Sequence, residues 1–162
     1  MSVSKKSPRI KALTKYLEEN GDEVWDGQLK PSNYDPQLIV FGSREYLVLS
    51  DKEADKRAAE YIKDSIWAFN PTFIASHARI GYDHAITVVK SLQPQCESAN
   101  EPITALIKNM KSFVSDAIRD DGRGYFISHY DGEENEVKIG NKYFYISCLS
   151  GCLTKQGRAI QK

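Results

Sequence analysis

The chain has 162 residues, 41% of them hydrophobic and 27% charged, and its 22 basic and 22 acidic side chains balance to a formal net charge of zero. That length suits a single domain able to bury a real core. No apolar run is long enough to cross a bilayer, and no apolar stretch follows the basic start Met1–Arg9, so neither a membrane span nor a secretory signal is expected.

In chain order, Ser7-Pro8 predicts the start of a helix running through Glu19, because Ile10, Leu13 and Leu17 fall at i, i+3 and i+7 and Asn20-Gly21 supplies a stop. Asp26 to Pro36 is polar and holds two prolines, which predicts a surface connection without an element. Gln37–Phe41 and Glu45–Leu49 are β-rich runs around Gly42-Ser43-Arg44 and predict a hairpin. Ser50-Asp51-Lys52-Glu53 is a capping box, so a helix should begin at Asp51 and continue through Phe69 on the period of Ala54, Ala58, Tyr61, Ile62, Ile66 and Trp67. Asn70-Pro71 should break it, with a second short helix around Phe73-Ile74-Ala75. Trp67, Phe69 and Phe73 read as core.

Further helices are predicted over Tyr82–Leu92, ended by Pro94, over Ile103–Asn109, capped by Asn100, and over Phe113–Ile118. Tyr125–Tyr130 and Val137–Cys148 return to β-rich composition, with turns at Asp131-Gly132 and Gly140-Asn141. The pattern predicts an α+β fold: a small antiparallel sheet from an N-terminal and a C-terminal hairpin, covered by a central group of helices. The expected organisation is a basic leader over 1–36 with a short helix and a polar linker, one α+β domain over 37–150, and a basic tail over 151–162.

The zero net charge conceals an asymmetry. Eight of the 22 bases lie in residues 1–16 and 153–162, which hold no acid; the remaining 14 bases face 22 acids, so residues 17–152 carry a formal charge of −8. Lys5, Lys6, Arg9, Lys11 and Lys15 are therefore candidate contacts to nucleic acid or to an acidic partner, against the plainer reading of solubilising termini. Cys96 stands alone, and Cys148 and Cys152 lack the second pair of a structural zinc site; all three read as core or free thiols in a reducing compartment.

The segment Asp121–Glu134 is the one stretch that looks like a site. On a turn-strand-turn, His129 and Asp131 would share a face, with Asp121, Arg123 and Glu133 nearby, which permits a general base or a small metal or ligand site. The competing reading is structural: Asp121-Gly122 and Asp131-Gly132 are turn formers, and Arg123 can pair with a neighbouring acid. His77 and His84 read as a surface pair, and no dinucleotide or phosphate-loop fingerprint is present. No cofactor and no bound metal are expected, and the reading leans away from catalysis.

Glu45–Asp55, Ile66–Asn70, Cys96–Asn100, Asp121–Gly124 and Tyr130–Glu134 together resemble a family of small uncharacterised proteins encoded by tailed bacteriophages and mobile elements. In many relatives a histidine follows the Asp-Gly-Arg-Gly run, where this chain has Tyr125. The resemblance implies a phage accessory protein in the cytoplasm of a host bacterium. It would bind a host protein or protein–nucleic acid complex, most sharply as an anti-CRISPR or antirestriction inhibitor. The alternatives are a small hydrolase or ligand-binding protein using Asp121, His129 and Asp131, and a nucleic-acid-binding module using the basic termini.

Overall fold

The computed structural model describes residues 6–128 and 131–151. They form an α+β protein with a five-stranded, wholly antiparallel sheet of order β1-β2-β3-β5-β4. The elements are α1 (Pro8–Glu19), β1 (Leu29–Pro31), β2 (Leu38–Phe41), β3 (Arg44–Ser50), α2 (Asp51–Asp64), α3 (Pro71–Ser76), α4 (Tyr82–Leu92), α5 (Asn100–Leu106), α6 (Met110–Asp121), α7 (Arg123–Ile127), β4 (Asn135–Ile139) and β5 (Lys142–Ser150). Short 3-10 segments cover Ile66–Ala68 and Gln93–Ala99. The chain divides into two compact units, one from the described residues up to Asp55 together with those from Ile127 onward, the other from Lys56–Phe126. No helix among the described residues is long and apolar enough to cross a membrane.

The first unit is the sheet with α1 against one face. Ser7 caps α1 by accepting from the Ile10 amide at 3.2 Å, and proline at the first helical position completes the start. The buried stripe Ala12, Leu13 and Leu17 then meets alternate residues of the strands: Ile39 and Phe41, Tyr46 and Val48, Phe144, Ile146 and Cys148, and Val137. Period 3.6 on the helix and period 2 on the strands bring these side chains into one core. Leu47, Leu49 and Ser147, on the opposite face of β3 and β5, are buried as well. Gly151 closes the end of β5: its φ is +72°, and a Cβ there would sit 2.4 Å from the Ser43 carbonyl oxygen.

Arg9 ties α1 to the exit of β3. Its guanidinium forks onto Glu53 at 2.7 and 2.5 Å and donates to the Val48 carbonyl at 2.7 Å. Glu53 is also the acceptor of the capping box, taking the Ser50 amide at 2.8 Å while its own amide donates to the Ser50 hydroxyl at 3.4 Å. Hydrogen bonds from Arg9 hold the Glu53 carboxyl far below the glutamate range, at about 2.

The second unit packs α3, α4, α5 and α6 around Phe113, Ile74, Val89 and Ile103, all fully buried. Around Phe113 lies an aromatic cluster: Phe69 at 5.2 Å, Phe73 at 4.9 Å and His77 at 5.2 Å between ring centroids. Trp67, Phe69 and Phe73, read from the sequence as core, are half-buried: the Phe69 and Phe73 rings pack on the buried Phe113 and leave part of their surface to clefts.

The sequence reading is corrected at several points. Asp26–Pro36 is not a bare connection, because Leu29–Pro31 pairs with Ile39–Phe41 as an edge strand; proline is tolerated there since an edge needs no second ladder. The expected leader is part of the first unit's core through α1. Helix α2 stops at Asp64 instead of reaching Phe69, and Asn100 is not the cap of its own helix. Its amide donates to the Asp64 carbonyl and its carbonyl accepts from the Trp67 amide at 2.9 Å, so it satisfies the backbone where α2 ends. The helix predicted over Ile103–Asn109 spans Asn100–Leu106, with Ile107 extended and bridged to Ala78. The strand expected from Tyr125 is helix α7 over Arg123–Ile127, entered through Gly122 (φ 85°) at the C-terminus of α6. Phe126 then lies at 6.1 Å from Phe69 and 6.4 Å from Tyr61, and this packing overrides a β-rich composition. Cys96 is a free, exposed thiol and Cys148 lies in the core, both within the sequence reading, but Cys148 is disulfide-bonded, which that reading did not include.

Two expectations follow for stability. The folded-state pKa of Glu53 lies below its ordinary 4.5, so the pair's contribution is complete above that value and is lost as pH falls from 4.5 through about 2. Arg9→Ala should cost about 2 kcal/mol at neutral pH, the partial exposure of both side chains limiting the loss, and should flatten the acid limb of a urea-midpoint-versus-pH curve. Cys96 adopts φ 53° and ψ −130°, a conformation that suits glycine. Cys96→Gly should therefore raise stability by about 1 kcal/mol in thermal unfolding, since the strain removed exceeds the added chain entropy.

Candidate functional site

Of the five residues read from the sequence as a site, the four described ones fall into different units. Asp121 ends α6 and Arg123 begins α7, both in the second unit, while Asp131 and Glu133 belong to the first. His129 lies outside the described residues, as do Lys5 and Cys152. Among the described residues no group of three or more His, Cys, Asp or Glu side chains could hold a metal ion.

Asp131 organises a turn. Its Oδ1 accepts from the Ser128 hydroxyl at 2.8 Å and from the Glu133 amide at 2.9 Å, the aspartate turn that Asp131-Gly132 predicts. Ser128 is 2% exposed, so its hydroxyl depends on this acceptor. The Glu133 carbonyl accepts from the Ser147 hydroxyl at 3.2 Å, anchoring the turn to β5. Burial, followed by the Asp131 and Glu133 carboxylates, raises the Tyr16 hydroxyl above its ordinary pKa. Tyr16 meets Tyr46 edge-on at 6.1 Å, and Arg44 stacks on Phe41 at 4.6 Å while forking onto Asp22 at 2.8 and 3.1 Å.

The basic segment is largely absorbed by the fold. Lys6 pairs with Asp26, Arg9 with Glu53, and Lys15 donates to the Lys138 carbonyl at 3.2 Å. Lys11 instead borders a groove of about 940 Å³ between one side of α1 and the segment Val24–Pro31. Ser7, Ile10, Lys11 and Thr14, at helical spacing, form one wall; Val24, Trp25 and Leu29 stand on the other. Trp25 is 67% exposed, a large apolar ring left in water at the mouth of the groove.

The second unit holds a smaller cleft of about 220 Å³ bordered by Tyr61, Phe69, Asp121, Tyr125 and Phe126. A second lobe, also about 220 Å³, shares Phe69, Asn70 and Asp121 and adds Phe73 and Asp120. The Phe69 and Phe126 rings are near parallel, 18° apart, and Tyr125 stands perpendicular to Phe126 at 5.1 Å. Here the sequence reading located one wall residue, Asp121, through its Asp-Gly signal and missed the aromatic partners.

His77 does not serve as half of a histidine pair. Its Nε2 lies 3.2 Å from Asp116, whose other oxygen accepts from Arg119 at 2.9 Å, while His84 is exposed on α4. A partner 39 positions away leaves no local signal in the sequence.

Comparison with protein-family models, curated proteins and solved structures yields no match.

Asp131→Ala should cost about 1–2 kcal/mol, because it strands the buried Ser128 hydroxyl and frees the Glu133 amide. Ser128→Ala should cost less, and a urea-unfolding double-mutant cycle should give a combined loss smaller than the sum, as coupled neighbours do.

Proposed function

We propose that this chain is a phage-type accessory protein that acts by binding a host macromolecule, and that its sharpest role is inhibition of a host defence enzyme of the CRISPR or restriction kind. The observation that carries the binding reading is the Trp25 groove. An exposed tryptophan beside an apolar furrow, rimmed by a base at Lys11, has the make-up of a protein interface, where buried aromatic anchors supply most of the affinity. The phage origin rests on the residue combination Glu45–Asp55, Ile66–Asn70, Cys96–Asn100, Asp121–Gly124 and Tyr130–Glu134 described above. That origin in turn favours a bacterial host cytoplasm and a blocking role, by analogy with other small phage proteins.

The pairing of Lys6 with Asp26 and of Arg9 with Glu53 weakens the reading of this segment as a nucleic-acid arm, since those charges are already balanced within the fold. The alternative of a hydrolase at Asp121, His129 and Asp131 has less support, because Asp131 is engaged in a turn.

The test is expression of the full chain in bacteria carrying a restriction or CRISPR system, followed by phage challenge. Plaque counts should rise, and Trp25→Ala should weaken the effect, an anchor of this kind costing about 2 kcal/mol or about 30-fold in affinity. The variant's melting temperature should be unchanged, since Trp25 is largely exposed. Unaltered plaque counts across both defence classes would sink the inhibitor reading.

A further inference from the structure

We propose that the aromatic cleft of the second unit binds an arginine side chain of a partner protein, with Asp121 as its counter-ion. This inference stands on a different unit from the Trp25 groove and does not rest on it. Three observations point to a cation. The Asp121 carboxylate makes no hydrogen bond or ion pair with any described residue, whereas its neighbours are engaged: Asp120 by Arg119 at 3.2 Å, and Asp116 by Arg119 and His77. Asp121 is also the last residue of α6, where the helix presents its negative end. A carboxylate there is unfavourable by itself, and a bound cation would offset both the carboxylate and the helix terminus. Two nearby polar groups of the cleft are committed elsewhere, the Ser65 hydroxyl donating to the Tyr61 carbonyl at 2.6 Å and the Asn70 oxygen accepting from both Thr72 donors, which leaves the Asp121 carboxylate as the charged group of the cleft.

The walls select the kind of cation. Phe69 and Phe126 line the cleft, and the rings of Tyr61 and Tyr125 at its rim are 40% and 60% exposed. A guanidinium is flat and weakly hydrated; it can stack on an aromatic face while its forked N–H groups meet a carboxylate. An ammonium is compact and strongly hydrated, and it gains less from such walls. Each of the two pockets bordered by Asp121, about 220 Å³ apiece, lies below the range that encloses small organic ligands, roughly 300–1,000 Å³, and the one lined by Tyr61, Tyr125 and Phe126 suits the head of a single side chain.

The experiment is an NMR titration of the ¹⁵N-labelled full chain with N-acetyl-arginine amide and, in parallel, with its neutral isostere N-acetyl-citrulline amide. The arginine compound should give saturable shifts in the millimolar range at the Tyr61, Phe69, Asp121 and Tyr125 amides, and the citrulline compound should give none. Asp121→Asn should abolish the response and Tyr125→Ala should weaken it severalfold. The amide spectra of both variants would show that they remain folded. An equal response to citrulline, an unchanged response in Asp121→Asn, or no response in the folded parent would each overturn the proposal.

Discussion

The pairing of β3 with β5 is the constraint on which the rest of the structure depends. It joins Glu45 to Ser150 and Ser50 to Phe144, positions roughly a hundred residues apart, and so closes a very long loop. Only with that ladder formed do Val48 and Ile146 lie side by side on the face that α1 covers. The same pairing brings β4 into the sheet, because β4 has no other neighbour. The Arg9 fork fixes the helix at the end of the ladder, where β3 gives way to α2 through a single capping serine.

How much of this was legible depended on whether the signal was local. The cap at Ser7, the box at Ser50 and Glu53, and the hairpins around Gly42 and Gly140 each bind residues within a few positions of one another, and each is where the sequence places it. The misread elements owe their state to distant groups. Tyr125-Phe126-Ile127 has strand composition, yet Phe126 takes helical form against Phe69 and Tyr61. Asn100 resembles a helix cap and instead serves a helix end 36 positions earlier. The candidate site divides the same way: Asp131 forms the predicted turn, while the aromatic surroundings of Asp121 come from helices that no local pattern links.

Charge tells a similar story. The basic N-terminal stretch looks, as a sequence, like an arm reaching outward. In the fold Lys6 and Arg9 face Asp26 and Glu53, so part of the asymmetry is internal complementarity between a basic N-terminal stretch and an acidic body. What is left for recognition is aromatic as much as charged: Trp25 beside α1, and Tyr61 and Tyr125 around the Asp121 carboxylate, which has no partner among the described residues.

The helical unit occupies one uninterrupted stretch of chain, whereas the sheet is assembled from two stretches that flank it. On the ribosome this sets an order of events. Residues 56–126 can reach their native contacts while β5 is still being translated, and until then β3 carries a row of unpaired backbone groups along one side. The nascent protein therefore passes through an interval with an open strand edge, and the early compaction of the inserted helices shortens the effective distance over which β5 must find it.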